Sequence, residues 1–227
     1  MLFQQRINLE NILQRLDNYF LESNDKRMDN LQGIALVVVD PLRRFSAANA
    51  PFEVDDASEI IDGINALADQ FRKKKLPVVW MSRLIRPQLS LGTRTSAKYA
   101  GMNSAFFGEW AEIDERLKIM PEDYLIYKPR HSSFFATDLD IGLRESGIKE
   151  VWLSGFTFNV CILATAFDAV ARDLKVKFLT DLCGTLPAKH ENKTVSAASI
   201  HEYTRIIADY AVGEMLDSQT ATHILQS

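Results

Sequence analysis

The chain has 227 residues, 47% of them hydrophobic, which is enough for one large α/β domain with a well-filled core. A formal charge of −4 and a pI near 5.6, with no basic run or aromatic-studded cationic stripe, exclude a general nucleic-acid or membrane-surface binder. The apolar runs fall far short of a membrane span, and the first residues lack the charged-then-apolar order of a signal peptide. The expectation is therefore a cytoplasmic protein acting on a small molecule, with no nucleic-acid or membrane partner. Its two cysteines, Cys161 and Cys183, are then reduced thiols.

In chain order, Ile7, Ile12, Leu13, Leu16, Tyr19 and Phe20 recur at helical spacing over residues 1–23. This predicts an N-terminal helical extension, residues 1–30, ahead of a hydrolase-sized domain over 31–220. The run Ile34 to Val39 ends at Asp40-Pro41 and reads as a buried central strand. A helix over 56–74 and a strand over 76–81 follow. Residues 82–108 carry Pro87, Gly92, Gly101 and Gly108 and are expected to be irregular. A short helix is expected over 109–119 and a third strand over 124–127, ending at Lys128-Pro129. Thr137 reads as the N-cap of a helix that runs to Glu145 and is closed by Gly147. The remainder is expected as a strand over 151–154, a helix over 160–173, a strand over 176–179, a helix over 189–201, a sixth strand over 204–208 and a closing helix. Alternating strands and helices imply a parallel six-stranded sheet with helices on both faces, a Rossmann-like three-layer α/β/α sandwich.

Ligands in such folds sit beyond the carboxyl ends of the strands. Three reactive side chains fall at those ends: Asp40 after the first strand, Lys128 after the third and Cys161 after the fourth. A thiol at a helix N-terminus, near an ammonium, is expected to have a lowered pKa and to attack carbonyl carbon as the thiolate. A neighbouring carboxylate can take and return the proton. Backbone N–H groups of Thr157 and Cys161 in the same turn suit an oxyanion hole. Each residue also has an ordinary reading: a buried small apolar side chain for Cys161, a cap for Asp40, a solvated strand end for Lys128. Three such coincidences at one sheet edge weigh against it.

The segments VVVDPLRRF, YKPRHSSFFATDLDIGLRESGI and LSGFTFNVCILATAFDAVARDLKVKFLTDLCGT resemble the isochorismatase-like cysteine hydrolases, over residues 32–218 or so. That family includes nicotinamidases, isochorismatases, and carbamoyl-sarcosine, ureidoacrylate and biuret amidohydrolases. The resemblance implies a catalytic triad of Asp40, Lys128 and Cys161, a cis peptide at Phe156–Thr157, and a dimer or tetramer. Nicotinamidases hold a metal with histidines after the second strand; here no histidine lies between Trp80 and Phe107, so neither a metal nor another cofactor is expected. The resemblance implies hydrolysis of a small carboxamide or ureido C–N bond through a thioester. The alternatives are isochorismatase-type vinyl-ether cleavage, which needs no thiolate, and a non-catalytic scaffold that retained the fold.

Around these three, Phe45, Trp80, Phe134, Phe156 and Phe158 are candidates to line the substrate pocket, against the rival reading of core packing. Asn159 either bonds substrate or satisfies the turn. Arg43, Arg44, Arg83 and Arg86 follow the first two strands, where a guanidinium can fork onto a substrate carboxylate or simply be solvated. Arg130 is expected to brace the lysine loop. Cys183 reads as structural, and Gly155 as the residue that permits the sharp turn into the cysteine segment. The four histidines, 131, 190, 201 and 223, read as surface or packing residues.

Overall fold

The structure is a computed structural model that describes residues 32–84 and 103–227. The helix expected over 1–23, and the greater part of the irregular segment at 82–108 with Arg86, lie outside the described residues.

Six strands form one sheet in the order β3-β2-β1-β4-β5-β8, and every neighbouring pair is parallel. β1 (Ile34–Val39) is buried along its whole length, as a β-branched run in the middle of a covered sheet must be. Beside it lie β2 (Val78–Arg83) and β4 (Glu150–Phe156); β3 (Tyr124–Lys128) forms one edge, and β5 (Lys175–Gly184) leads to the other. The two-residue period of β1 sorts its side chains between the layers. Ala35, Val37 and Val39 join a core that includes Leu139 and Leu143 of α3 (Leu139–Glu145) and Ala166 and Ala169 of α4 (Leu163–Val170). Across the sheet, α2 (Ala57–Lys73) buries Ile60, Ile64 and Phe71, and the Phe71 ring meets Trp152 of β4 edge-on at 5.3 Å. The doubly wound three-layer sandwich is as expected.

The C-terminal third departs from the sequence reading. Instead of a helix over 189–201, residues Ala188–His190 (β6) and Lys193–Val195 (β7) pair as an exposed antiparallel hairpin. The helix α5 comes later, Ala197–Ala211, and swallows the strand expected at 204–208. Its start is fixed by Ser196, whose side chain accepts from Ser199 N–H. The β-branched cluster Thr204 to Ile207 invites a strand, but the residues buried are Thr204 and Ala208, four apart, while Ile206 and Ile207 face outward. The sixth strand is β8 (Glu214–Leu216), followed by α6 (Ser218–Gln226). Gly213 stands just before β8, where an added Cβ would lie 2.2 Å from Val176 O.

The helix expected over 109–119 is also absent. The short turns Asn103–Phe106 and Gly108–Ala111 are 3-10, and the segment beyond is held by side chains rather than by a helical ladder. Asp114 accepts from Ser46 and Arg116, which holds its carboxyl down at about 2 against the burial that opposes ionisation. The N-cap of α3 is Asp138, one residue later than the expected Thr137, and its side chain makes no capping bond; Leu139 N–H reaches Thr137 Oγ1 at 3.4 Å, and Gly147 beyond the helix has φ +69°. No helix among the described residues is long and apolar enough to cross a membrane.

One buried carboxylate ties the edge of the sheet to α2. Asp123 Oδ2 accepts from Arg72 Nη2 at 2.6 Å, from the Trp80 indole at 2.9 Å and from Met120 N–H at 2.9 Å. Trp80 is thereby consumed in the core and does not reach a pocket. With Arg72 Nε on Oδ1 at 3.0 Å, truncating Asp123 would remove the acceptor of four donors, of which the Trp80 indole is fully buried. Asp123→Ala is expected to cost about 3 kcal/mol, read as a lowered urea midpoint with an unchanged m-value, and Asp123→Asn about half of that.

Candidate functional site

Asp40 follows β1 with φ +48°, a left-handed conformation that aspartate tolerates better than most residues. Its N–H donates to Met81 O at 2.8 Å, and its own carbonyl accepts from Leu42 N–H at 2.7 Å, so the backbone is pinned on both sides. Lys128 is the last residue of β3, and its side chain is fully buried. Its ammonium donates to Asp40 Oδ2 at 2.8 Å, to His131 O at 2.7 Å and to Arg130 O at 3.3 Å. Those three acceptors match the three protons of the ammonium, which is how a charge of this kind is tolerated in a core. Arg130 does brace this loop: besides lending its carbonyl, its Nη1 donates to Pro129 O. Asp40 Oδ1 is buried and makes no hydrogen bond among the described residues.

Cys161 approaches from β4. Gly155 has φ +108°, and a Cβ there would stand 2.1 Å from Val39 O, so only glycine lets β4 close on β1 at this level. The peptide Phe156–Thr157 is cis. Beyond it Phe158–Ile162 forms a π-turn, which runs into α4. Thr165 fastens this turn to the lysine loop: its hydroxyl donates to Cys161 O at 2.7 Å and accepts from Ser133 N–H at 3.0 Å.

Asp40, Cys161 and Thr157 share the wall of one cavity of about 280 Å³, at the carboxyl ends of β1 and β4 where the strand order reverses. Lys128 lies directly behind Asp40. The topology thus brings the three expected side chains together. Of the expected pocket residues, Phe45 and Asn159 line the cavity as well. Three aromatics do not. Phe156 is wholly buried behind Phe45, stacked on it at 5.8 Å. Phe158 packs against Phe178 and His201, and Phe134 lies in the core beneath the Arg172 guanidinium, 4.8 Å away. All three alternate or turn inward in elements that have an apolar layer to fill, so packing claims them. Cys183 is also internal, its Sγ against Leu153 O at 3.6 Å.

The electrostatics correct a second expectation. The Cys161 thiol is pushed up to about 12, by burial first and by the Asp40 charge second; Lys128 and Arg83 only partly oppose this. The cysteine stands in the π-turn that leads into α4, where burial disfavours the charged thiolate. The resting side chain is a neutral thiol beside a carboxylate.

Several lining residues escaped the sequence reading. His131 was assigned to surface or packing, yet its Nδ1 is 3.5 Å from Cys161 Sγ and 3.2 Å from Arg83 Nη1. Burial, then the Arg83 and Lys128 charges, lower its pKa to about 4, so it is a neutral imidazole near pH 7. Its place three residues after Lys128, in a loop wrapped around that ammonium, was the available signal. Phe52 and Phe106 complete an aromatic wall with Phe45, and Leu186, Pro187 and Ala188 supply the far rim. The rim follows the carboxyl end of β5, again a legible position. Arg44 and Arg83 line the cavity, whereas Arg43 turns away to Glu115 and Glu109. Among the described residues, no group of three or more His, Cys, Asp or Glu side chains is placed to hold a metal ion.

A family model for the isochorismatase domain matches residues 34–210. A probable inactive nicotinamidase of Arabidopsis thaliana is 30% identical over 190 residues, covering 77% of this chain and 96% of that protein. The ureidoacrylate amidohydrolase RutB of Klebsiella pneumoniae is 27% identical over 158 residues, 60% of this chain and 67% of that one. Among solved structures, a cysteine hydrolase from Pseudomonas syringae pv. phaseolicola superposes with a TM-score of 0.81 at 24% identity, over 87% of this chain and 94% of that one. With a matched domain that contains β1 through α5 and every described wall of the cavity, the chain belongs to the isochorismatase family of hydrolases.

Proposed function

We propose that the protein is a cysteine amidohydrolase that cleaves a C–N bond of a small carboxamide or ureido compound through a thioester. The observation that carries this reading is the free Oδ1 of Asp40 in the same cavity as a neutral Cys161 thiol, with Oδ2 held by Lys128. The similarity to an enzyme named for ureidoacrylate amide hydrolysis supports it.

In this mechanism Asp40 takes the thiol proton as Sγ forms its bond to the carbonyl carbon. The backbone N–H groups of Thr157 and Cys161 receive the oxyanion. Collapse breaks the C–N bond, and Asp40 delivers the proton to the departing ammonia or amine. Water then attacks the thioester, Asp40 accepts its proton, and that proton returns to sulfur as the acid product leaves. A high thiol pKa suits this sequence: the nucleophile is uncovered only when a substrate displaces water and the transfer to Asp40 is coupled to attack. Lys128 acts as a positioning residue here, since its three bonds fix which carboxylate oxygen faces the cavity.

Ammonia release from a panel of small carboxamides and ureido acids tests the reading, with Cys161→Ala as control. Loss of turnover by about 10³-fold or more is expected for Cys161→Ala and about 10²- to 10⁴-fold for Asp40→Asn. An acyl adduct on the peptide that carries Cys161 should appear by mass spectrometry after rapid acid quench. Full turnover by Cys161→Ala would remove covalent catalysis and leave vinyl-ether cleavage with Asp40 as acid. Turnover of no compound by the wild type would favour the non-catalytic scaffold.

A second measurement checks the protonation state. In the free enzyme, thiolate absorbance assigned by difference from Cys161→Ala should be absent at neutral pH and rise only toward about 12. A midpoint below the ordinary thiol value of 9.0 would show a resting thiolate and overturn the coupled proton transfer.

A further inference from the structure

The cavity carries more positive charge than its proposed chemistry uses. Asp40 is already neutralised by Lys128 in direct contact. Two guanidiniums, Arg44 and Arg83, remain in the wall. Arg44 is only 2% exposed, and its Nε and Nη1 make no hydrogen bond among the described residues. What it does touch is aromatic: its guanidinium carbon is 5.3 Å from the Phe45 ring centroid and 5.2 Å from that of Phe106. Arg83 is 8% exposed; it reaches His131 through Nη1, while its Nε has no partner among the described residues.

A cation taken out of water without a counter-ion is costly, and packing alone would favour an apolar residue of the same length. Two π faces stabilise a guanidinium modestly and replace neither water nor a carboxylate. Burial lowers the pKa of Arg44, and the Arg83 charge adds to that against the pull of Asp40, so the site as it stands is short of negative charge. His131, neutral near pH 7, contributes none. Among the described residues lining the cavity, Asp40 is the sole carboxylate.

Building on the amidohydrolase reading, we infer that the natural substrate is an anion, a small carbamoyl or ureido carboxylic acid whose carboxylate is received by Arg44, with Arg83 as the second positive wall. Arg44 presents a planar fork suited to carboxylate, and Phe45 and Phe106 hold its plane in place. The cavity, about 280 Å³, admits a short acid and leaves little room for a larger acyl group. Arg44 is then a specificity-determining residue: it fixes the end of the substrate that does not react and so orients the C–N bond toward Cys161.

Calorimetric titration of the Cys161→Ala protein with succinamate and with succinamide tests this without turnover. The two probes are matched in size and differ in charge. Succinamate is expected to bind at least about tenfold more tightly than succinamide, with the difference shrinking as salt is raised. In Cys161→Ala/Arg44→Met the preference should vanish, and the melting temperature should hold or rise as an uncompensated buried cation is removed. Cys161→Ala/Arg44→Lys, which keeps the charge without the fork, should retain a fraction of the preference, and it decides the matter should the methionine variant fail to fold. Equal binding of the two probes to Cys161→Ala, no measurable binding of either, or an equal loss for both probes on Arg44 substitution would each overturn the inference. The parent reading is judged separately by ammonia release: an anion preference without thiol-dependent turnover would sink the amidohydrolase and leave the anion site standing.

Discussion

The ion pair between Lys128 and Asp40 is the contact on which the site depends. It joins the end of β3 to the end of β1 across the intervening strand, with no water access to the ammonium. Isolated, either charge would be intolerable at this depth. Together, and with two carbonyls of the loop at 130–131 completing the ammonium's shell, they form a closed unit with one loose end, Asp40 Oδ1. Everything reactive in the cavity is arranged around that oxygen. The loop that supplies the carbonyls also carries His131 toward the thiol and Ser133 toward Thr165, so the ammonium organises both the acid and the surroundings of the cysteine.

Much of this was readable in the sequence because strand ends are readable. A β-branched run that stops at a charged residue locates that residue at the sheet's carboxyl edge, as at Asp40 and Lys128, and in a doubly wound fold such ends converge with the turn after β4 whatever their separation along the chain. Elements with strong periodicity, β1 and α2 above all, fell where expected. The misreadings concern direction, which composition does not give. The cluster at Thr204 to Ile207 looks like a strand by composition, and only its burial, at Thr204 and Ala208, shows the helical period. Phe134, Phe156 and Phe158 stand near the cysteine turn in sequence, but proximity along the chain does not say which way an aromatic ring points. His131 was passed over for the opposite reason: a lone histidine is ordinarily a surface residue, and only the wrapping of its loop around Lys128 turns it inward.

The protonation of Cys161 illustrates how local and tertiary terms compete. Position after a strand and before a helix argues for an acidic thiol, and the Lys128 charge nearby argues the same way. Burial and an adjacent carboxylate outweigh both. Burial keeps the sulfur protonated, and a thiol is less open to oxidants and stray electrophiles than a thiolate would be.

Gly155 sets a scale for the whole arrangement. Its missing side chain lets β4 settle against β1 beside Val39 at the spacing of the sheet itself, about 4.8 Å between backbones, and the π-turn that carries Cys161 begins three residues beyond that contact. The point at which that turn departs is set by the hydrogen-bond ladder between β1 and β4. Most of the remaining cavity wall, apart from Arg83 at the end of β2, comes from segments outside the ladder: α1 (Arg43–Ser46) and the turns after it, the 3-10 turn at 103–106, and the rim at 186–188. The sheet thus fixes where the cysteine turn begins, and the connecting segments shape most of the cavity's rim.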